Sequence, residues 1–287
     1  MFKLAILGCE NSHAWGFMTA IAVDKAADVE VIGAFTEYPD SAEQFHKDFG
    51  VPMMKTYDEL VGQVDGILIT ARDGKNHYKY AKPYIESGIP MFIDKPATNS
   101  EEDAKAFKEE LKAHNIKIFG GTSVILGDMI TGMKKDIQEN KYGKIYSGFL
   151  RAPVQMHSEY GGFFFYAQHL VQMATHLFGY FPKAVKAYGN GDSTVCVLRY
   201  EDKDIVLNFV EGNYVYYASV SAEKGVFSGN YESSSTIFAV EFMEYYKLLC
   251  GEEQKLSYEE FFAPVYIMNA ILRSLDSGKE ETIDYEM

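Results

Sequence analysis

The chain has 287 residues, 47% hydrophobic and 24% charged, enough apolar side chain for two domains that each bury a core. Its 27 basic and 41 acidic side chains leave a formal charge of −14, which argues against nucleic acid or an anionic membrane as partner. Cys9, Cys196 and Cys250 are odd in number and lack metal-ligand spacing, so free thiols, a reducing cytoplasm and no metal site are expected. No apolar run reaches the roughly 18 residues of a membrane helix. Residues 5–9 mimic a lipoprotein cleavage box. Only eight residues precede Cys9, too few for a charged region and an apolar stretch, so the segment is read as a strand.

In chain order, apolar runs predict strands at 3–7, 29–35, 51–55, 67–70, 91–94 and 116–120. Helical spacing predicts helices at 12–25, 40–49, 77–87 and 101–113, with a helical turn at 57–61. Near-continuous apolar strands separated by helices mean a doubly wound parallel sheet covered on both faces, a Rossmann-like α/β domain over residues 1–122. Residues 123–287 have a different texture. After a helix at 128–140, strands at 145–150, 184–188, 194–200, 205–210 and 214–220 are joined by short polar turns such as 201–204. Those connections imply a mostly antiparallel open sheet, an α+β arrangement with helices on one face. A last helix at 257–277, capped by Ser257 and stopped at Gly278, is expected to pack back on the first domain. Tyr214, Tyr216, Tyr217 and Phe227 are expected either to furnish a subunit interface on the free face or to pack in the core.

Two places carry candidate chemistry. Phe92-Ile93-Asp94-Lys95-Pro96 puts Lys95 at the carboxyl end of the fifth predicted strand, and the mouth of an open parallel sheet is where ligands bind. Downstream, Gly161-Gly162 leads into a helix reaching Phe178 on which Tyr166, His169, Gln172 and His176 follow at spacings of three, three and four. They share one face and form a polar stripe in an otherwise apolar helix. Oxidising a secondary alcohol needs a base for the hydroxyl proton, and a lysine or histidine tuned toward neutrality serves. A lysine starts near 10.4 and is lowered by burial or a neighbouring cation.

These residues resemble the Gfo/Idh/MocA oxidoreductases, which include glucose-fructose oxidoreductase and inositol dehydrogenases, and the resemblance runs over nearly the whole chain. Asp94-Lys95-Pro96 looks like the family's acidic-Lys-Pro motif, with Asp for the commoner Glu. His169 is similar to the catalytic histidine that follows a Gly-Gly segment, and Thr70-Ala71 with His77 approximates the family's segment after the fourth strand. The resemblance implies NAD or NADP as cofactor and hydride transfer to or from a sugar-like or cyclitol alcohol. It also implies a homodimer or homotetramer built through the open sheet. Lys95, His169, Gln172 and Tyr166 are then the catalytic candidates. Gly8, Cys9, Glu10, Asn11, Ser12, His13, Thr36, Glu37, Thr70, Ala71, Arg72, His77, Asp94 and Lys95 are the cofactor-binding ones.

The chain departs from the pattern in the dinucleotide loop. Gly8-Cys9-Glu10-Asn11-Ser12-His13 keeps only the first glycine of G-x-G-x-x-G. Two unit charges 4 Å apart repel by about 4 kcal/mol at an effective dielectric of 20, so Glu10 must point away from a pyrophosphate or displace it. If it crowds the pyrophosphate, Glu10→Gly tightens dinucleotide binding. Asn11, Ser12 and His13 are expected to donate to the phosphates. Where an Asp commonly ends the second strand to hold the adenosine ribose, the chain has Thr36-Glu37-Tyr38. Glu37 takes that role if the loop shifts; if Glu37 faces solvent, Arg72 either meets a phosphate or is a solvated loop charge. Gln172 stands where the family carries an acid three residues after the histidine. The alternative to an active oxidoreductase is a ligand-binding or regulatory protein of the same fold.

Overall fold

The computed structural model describes residues 1–190 and 193–285. The chain forms two compact units: residues 1–98, 102–121 and 235–258 make the first, and 99–101, 122–234 and 259 onward make the second.

The first unit holds β1 (Phe2–Leu7), α1 (Ser12–Met18), β2 (Val29–Phe35), α2 (Pro39–Phe49), β3 (Gly66–Ile69), α3 (Lys75–Ala81), β4 (Met91–Asp94), α4 (Glu101–Ala113) and β5 (Ile118–Gly121). All five strands are parallel, in the order β2-β1-β3-β4-β5. β3 and β4 are buried at every position, which is why they read as unbroken apolar runs. The predicted third strand does not form: Met53 makes a single bridge to Ala34, and residues 57–61 make turns in place of a helix. Val51-Pro52 explains the loss, because a proline has no N–H to give a ladder. The strands expected as fourth to sixth are therefore β3 to β5. The first helix is shorter than expected, passing into a π-helical turn at Thr19–Val23.

The second unit holds α5 (Asp128–Gln138), β6 (Ile145–Val154), α6 (Phe164–Phe178), β7 (Ala184–Gly189), β8 (Ser193–Arg199), β9 (Asp204–Glu211), β10 (Tyr216–Ala222) and β11 (Gly225–Tyr231). After α7 (Ile237–Leu249), which belongs to the first unit, come α8 (Tyr258–Ser277) and β12 (Glu281–Thr282). The sheet runs β11-β10-β6-β9-β8-β7-β12, antiparallel throughout except for the parallel pair β6 and β9. Its strands alternate. Leu150, Cys196, Leu198, Ile205, Leu207, Phe209, Ala218 and Val220 are buried, whereas Val195, Val197, Val206 and Tyr217 point to a half-exposed outer face with Phe149. Phe178 of α6 lies so close to Gly148 that any Cβ there would strike its ring, which places α6 on the inner face.

The last helix, α8, lies in the second unit; the helix that completes the first is α7, which the sequence reading passed over. Strand alternation also divides the aromatics. Tyr217 faces outward beside Phe149, while Tyr216 has the inward parity and Phe227 stacks on Tyr142 at 3.7 Å between centroids.

Candidate functional site

The register of the first sheet brings the candidate residues of its mouth into a row. Leu7 pairs with Phe35 and with Ile69, and Ile69 with Ile93, so Gly8, Thr36, Thr70 and Asp94 stand side by side at the carboxyl ends. Gly8 has φ 102°, and a Cβ on it would collide with the Ala71 backbone, so β1 and the segment after β3 touch main chain to main chain. Thr70 Oγ1 donates to Gly8 O at 3.0 Å and fixes that contact. His77 is fully buried with Nε2 2.8 Å from Ala71 O, so Nε2 carries the proton and the ring pins the loop as a structural staple. Burial lowers its pKa, against the raising influence of Asp94.

Asp94 is the hub of the mouth. Its Oδ1 accepts from Lys95 N at 2.7 Å and lies 3.0 Å from His13 Nδ1, and its Oδ2 accepts from Asn11 Nδ2 at 2.9 Å. Burial alone would raise this carboxyl; His13, Lys95 and His77 outweigh it and hold the pKa below the ordinary value. Lys95 is only 5% exposed, and desolvation lowers its pKa despite the opposing pull of Asp94 and Glu241. The Lys95-Pro96 bond is cis.

The loop residues are arranged otherwise than expected. Asn11 caps α1 by accepting from His13 N at 3.2 Å while its amide donates to Asp94, and His13 packs against Phe238 of α7 at 4.9 Å. Both side chains are turned inward toward Asp94. Ser12 is exposed and donates to Asn11 Oδ1. Cys9 is buried, its thiol pushed up to about 12 by desolvation, and its carbonyl accepts from the Trp15 indole at 3.0 Å. Glu10 reaches sideways: Oε2 accepts from Thr36 Oγ1 at 2.7 Å and Oε1 from Arg72 N at 3.0 Å. Glu37 pairs with Lys79 at 3.0 Å on the surface.

One buried acid escaped the sequence reading. Glu241 of α7 is 1% exposed, with Oε2 4.0 Å from His13 Nδ1. Desolvation, reinforced by Asp94, raises its pKa well above the usual value. The signal was available: on the stripe Ile237, Phe242, Tyr245 and Leu248, all buried, Glu241 is the single charge.

The second unit supplies its own cluster around His169. Nδ1 lies 2.6 Å from Thr122 Oγ1, and Thr122 N donates to Gln172 Oε1 at 2.9 Å. Gln172 Oε1 also accepts from Gln168 Nε2 at 3.2 Å, so Gln172 braces Thr122 beside the imidazole. Tyr166 and Tyr216 set their rings 5.7 and 5.9 Å from His169, and Tyr214 joins Tyr166 at 5.9 Å. Phe163 packs on Phe209 and is core. His176, the fourth member of the stripe, is pushed down to about 4 by burial, with Lys134 adding to the effect. Thr122 and Tyr216 were missed; the outward or inward parity of β10 would have found Tyr216.

Residues 2–122 match the family model described as oxidoreductase family, NAD-binding Rossmann fold (GFO_IDH_MocA). A glucose-6-phosphate 3-dehydrogenase of Bacillus subtilis (strain 168) is 26% identical over 147 residues, 51% of this chain and 41% of that one. The chain thus spans about two fifths of that relative. A putative myo-inositol dehydrogenase from Sinorhizobium meliloti 1021 superposes with a TM-score of 0.86 at 16% identity, covering 99% of this chain and 100% of that one. A scyllo-inositol dehydrogenase from Lactobacillus casei, crystallised with NAD(H) and scyllo-inositol, gives 0.86 at 14% identity, with 99% of each chain covered. At such identities the superpositions show a shared fold. Residues 2–122 are thus similar to the Gfo/Idh/MocA oxidoreductases, with their NAD-binding Rossmann fold.

Proposed function

We propose that the protein is an NAD(P)-dependent oxidoreductase that transfers hydride to or from a CH–OH group of a sugar-like or cyclitol substrate. The observation that carries the reading is Lys95: a buried, pKa-lowered lysine at the carboxyl end of β4, in a domain of an NAD-binding family. The residues present fit the cofactor. Gly8 gives the bare backbone of the β1 turn, Glu10 and Thr36 stand at the end of β2, and Lys95 offers a proton acceptor. When bound, the nicotinamide supplies the hydride chemistry. A neutral Lys95 takes the hydroxyl proton, and desolvation is what makes the neutral form accessible. His169, on the second unit, is a second proposed acid–base group. Thr122 fixes its ring through Nδ1, and Gln172 holds Thr122 in place.

The substrate class is taken from the relatives' names, a hexose phosphate and inositols. Three thiols free of disulfides support a cytoplasmic setting, and the half-exposed apolar outer face of the second sheet supports a homodimer or homotetramer. No helix among the described residues is long and apolar enough to cross a membrane.

The test is a screen of cyclitols, aldoses and sugar phosphates with NAD⁺ and NADP⁺, following reduced nicotinamide absorbance. On the substrate found, Lys95→Ala and His169→Ala each lower kcat by about 10²–10⁴, the usual worth of a positioned acid–base group. Lys95→Arg does not restore it, since a guanidinium stays protonated. Full turnover in both alanine variants would remove these residues from the site.

A further inference from the structure

Glu10 stands at the second glycine position of the fingerprint spacing, yet its carboxylate does not lie over the loop. It spans two strand ends, accepting from Thr36 Oγ1 at 2.7 Å beyond β2 and from Arg72 N at 3.0 Å beyond β3. In doubly wound dinucleotide folds an acid at the end of the second strand receives the adenosine ribose hydroxyls. Here that strand end carries Thr36, and Glu37, the next residue, is turned to the surface and paired with Lys79. We propose that Glu10, delivered to the end of β2 from the β1 turn, is the ribose-reading carboxylate and makes the site selective for NAD(H) over NADP(H). This rests on the dinucleotide reading above.

The hydrogen-bond inventory permits it. An ionised carboxylate offers about four lone-pair sites, and the two protein donors use two, leaving capacity for two ribose hydroxyls. Because both oxygens are already held, the group is oriented before any ligand arrives and has little side-chain freedom left to lose. A 2′-phosphate at the same place brings negative charge against the carboxylate and removes the hydroxyl donor. The nearby Lys79 ammonium is paired with Glu37 at 3.0 Å. The inward turn of Asn11 and His13 gives Glu10 further weight, because those loop residues are committed to Asp94.

Trp15, the chain's single tryptophan, follows the loop on α1 and reports reduced nicotinamide cofactor by energy transfer. Titrations with NADH and NADPH compare the parent with Glu10→Gln, Glu10→Gly and Thr36→Val, with melting temperatures as the check on folding. The parent is expected to bind NADH at least about tenfold tighter than NADPH, and Glu10→Gln to weaken NADH about tenfold without weakening NADPH, the scale of a hydrogen bond to a charged group. Thr36→Val, which removes the hydroxyl that aims the carboxylate, weakens NADH in the same sense by a smaller factor. Parent binding of NADPH as tight as NADH, or tighter NADH binding by Glu10→Gly, overturns the proposal and leaves the dinucleotide reading standing. Binding of neither cofactor by the parent and all three variants overturns both.

Discussion

Glu241 shows how one side chain on an apolar stripe can govern a site. It is buried beside Asp94 and Lys95, and its raised pKa means that the folded chain holds a proton the unfolded chain has already released above about pH 4.5, the ordinary range of a glutamate. In that window the native state binds more protons than the unfolded state, so this residue makes stability fall as pH rises. Glu241→Gln keeps the shape and removes the titration. Urea unfolding should show the variant gaining on the parent between pH 5 and pH 8, with no gain near pH 4; a gain independent of pH would mean that Glu241 does not titrate. Asp94 has the opposite sign. Its lowered pKa stabilises the fold above the ordinary aspartate range and that contribution is lost in acid. On the proposed role of Lys95 as the base, oxidation should rise with pH through a pKa below 10.5, and Lys95→Ala should abolish that limb.

At the scale of elements, α7 is the piece that completes the first unit. Phe242 and Tyr245 are fully buried against Phe17 and Phe92, with ring centroids 6.1 Å (Phe17 to Phe242) and 6.2 Å (Phe92 to Tyr245) apart, and Tyr245 donates to Pro90 O at 3.0 Å. Two glycines make room for the helix. A Cβ on Gly16 of α1 would strike the Phe238 ring, and one on Gly66 of β3 would strike the Tyr245 hydroxyl. Phe242→Ala should cost about 3–5 kcal/mol of unfolding free energy, as aromatic truncations in cores do. Gly16→Ala should cost about 1–3 kcal/mol through overpacking although alanine is the better helix former. A stable Gly16→Ala variant would show that Phe238 yields. The helix escaped the sequence reading because its thirteen residues, Ile237–Leu249, are apolar on most sides, and periodicity fades when nearly every position is hydrophobic.

For the molecule as a whole, the outer face of the second sheet carries the prediction about assembly. Phe149 is 38% exposed in the middle of that face, flanked across the strands by Val206 and Ser219. A charge there should be tolerated by a monomer and not by a sheet-to-sheet dimer. If the proposed homodimer or homotetramer forms through this face, Phe149→Glu should halve or quarter the mass seen by light scattering while leaving the melting profile of dilute protein nearly unchanged. An unaltered mass would remove this face from any assembly.

The sequence by itself determined β1 to β5 and α1 to α4 of the first unit, the α6 helix with His169, and the placement of Lys95 at a strand's carboxyl end. These follow from local signals: apolar runs, a proline after the strand, and 3.6-residue spacing. Tertiary structure alone decided which neighbours those residues meet. Glu241 comes to Asp94 from 147 positions downstream, Thr36 to Glu10 from 26, and Thr122 to His169 from 47, and no local pattern encodes such pairings. It also decided that Asn11 and His13 turn inward while Glu10 turns aside, because a buried carboxylate at Asp94 must find partners and takes the nearest donors in the loop.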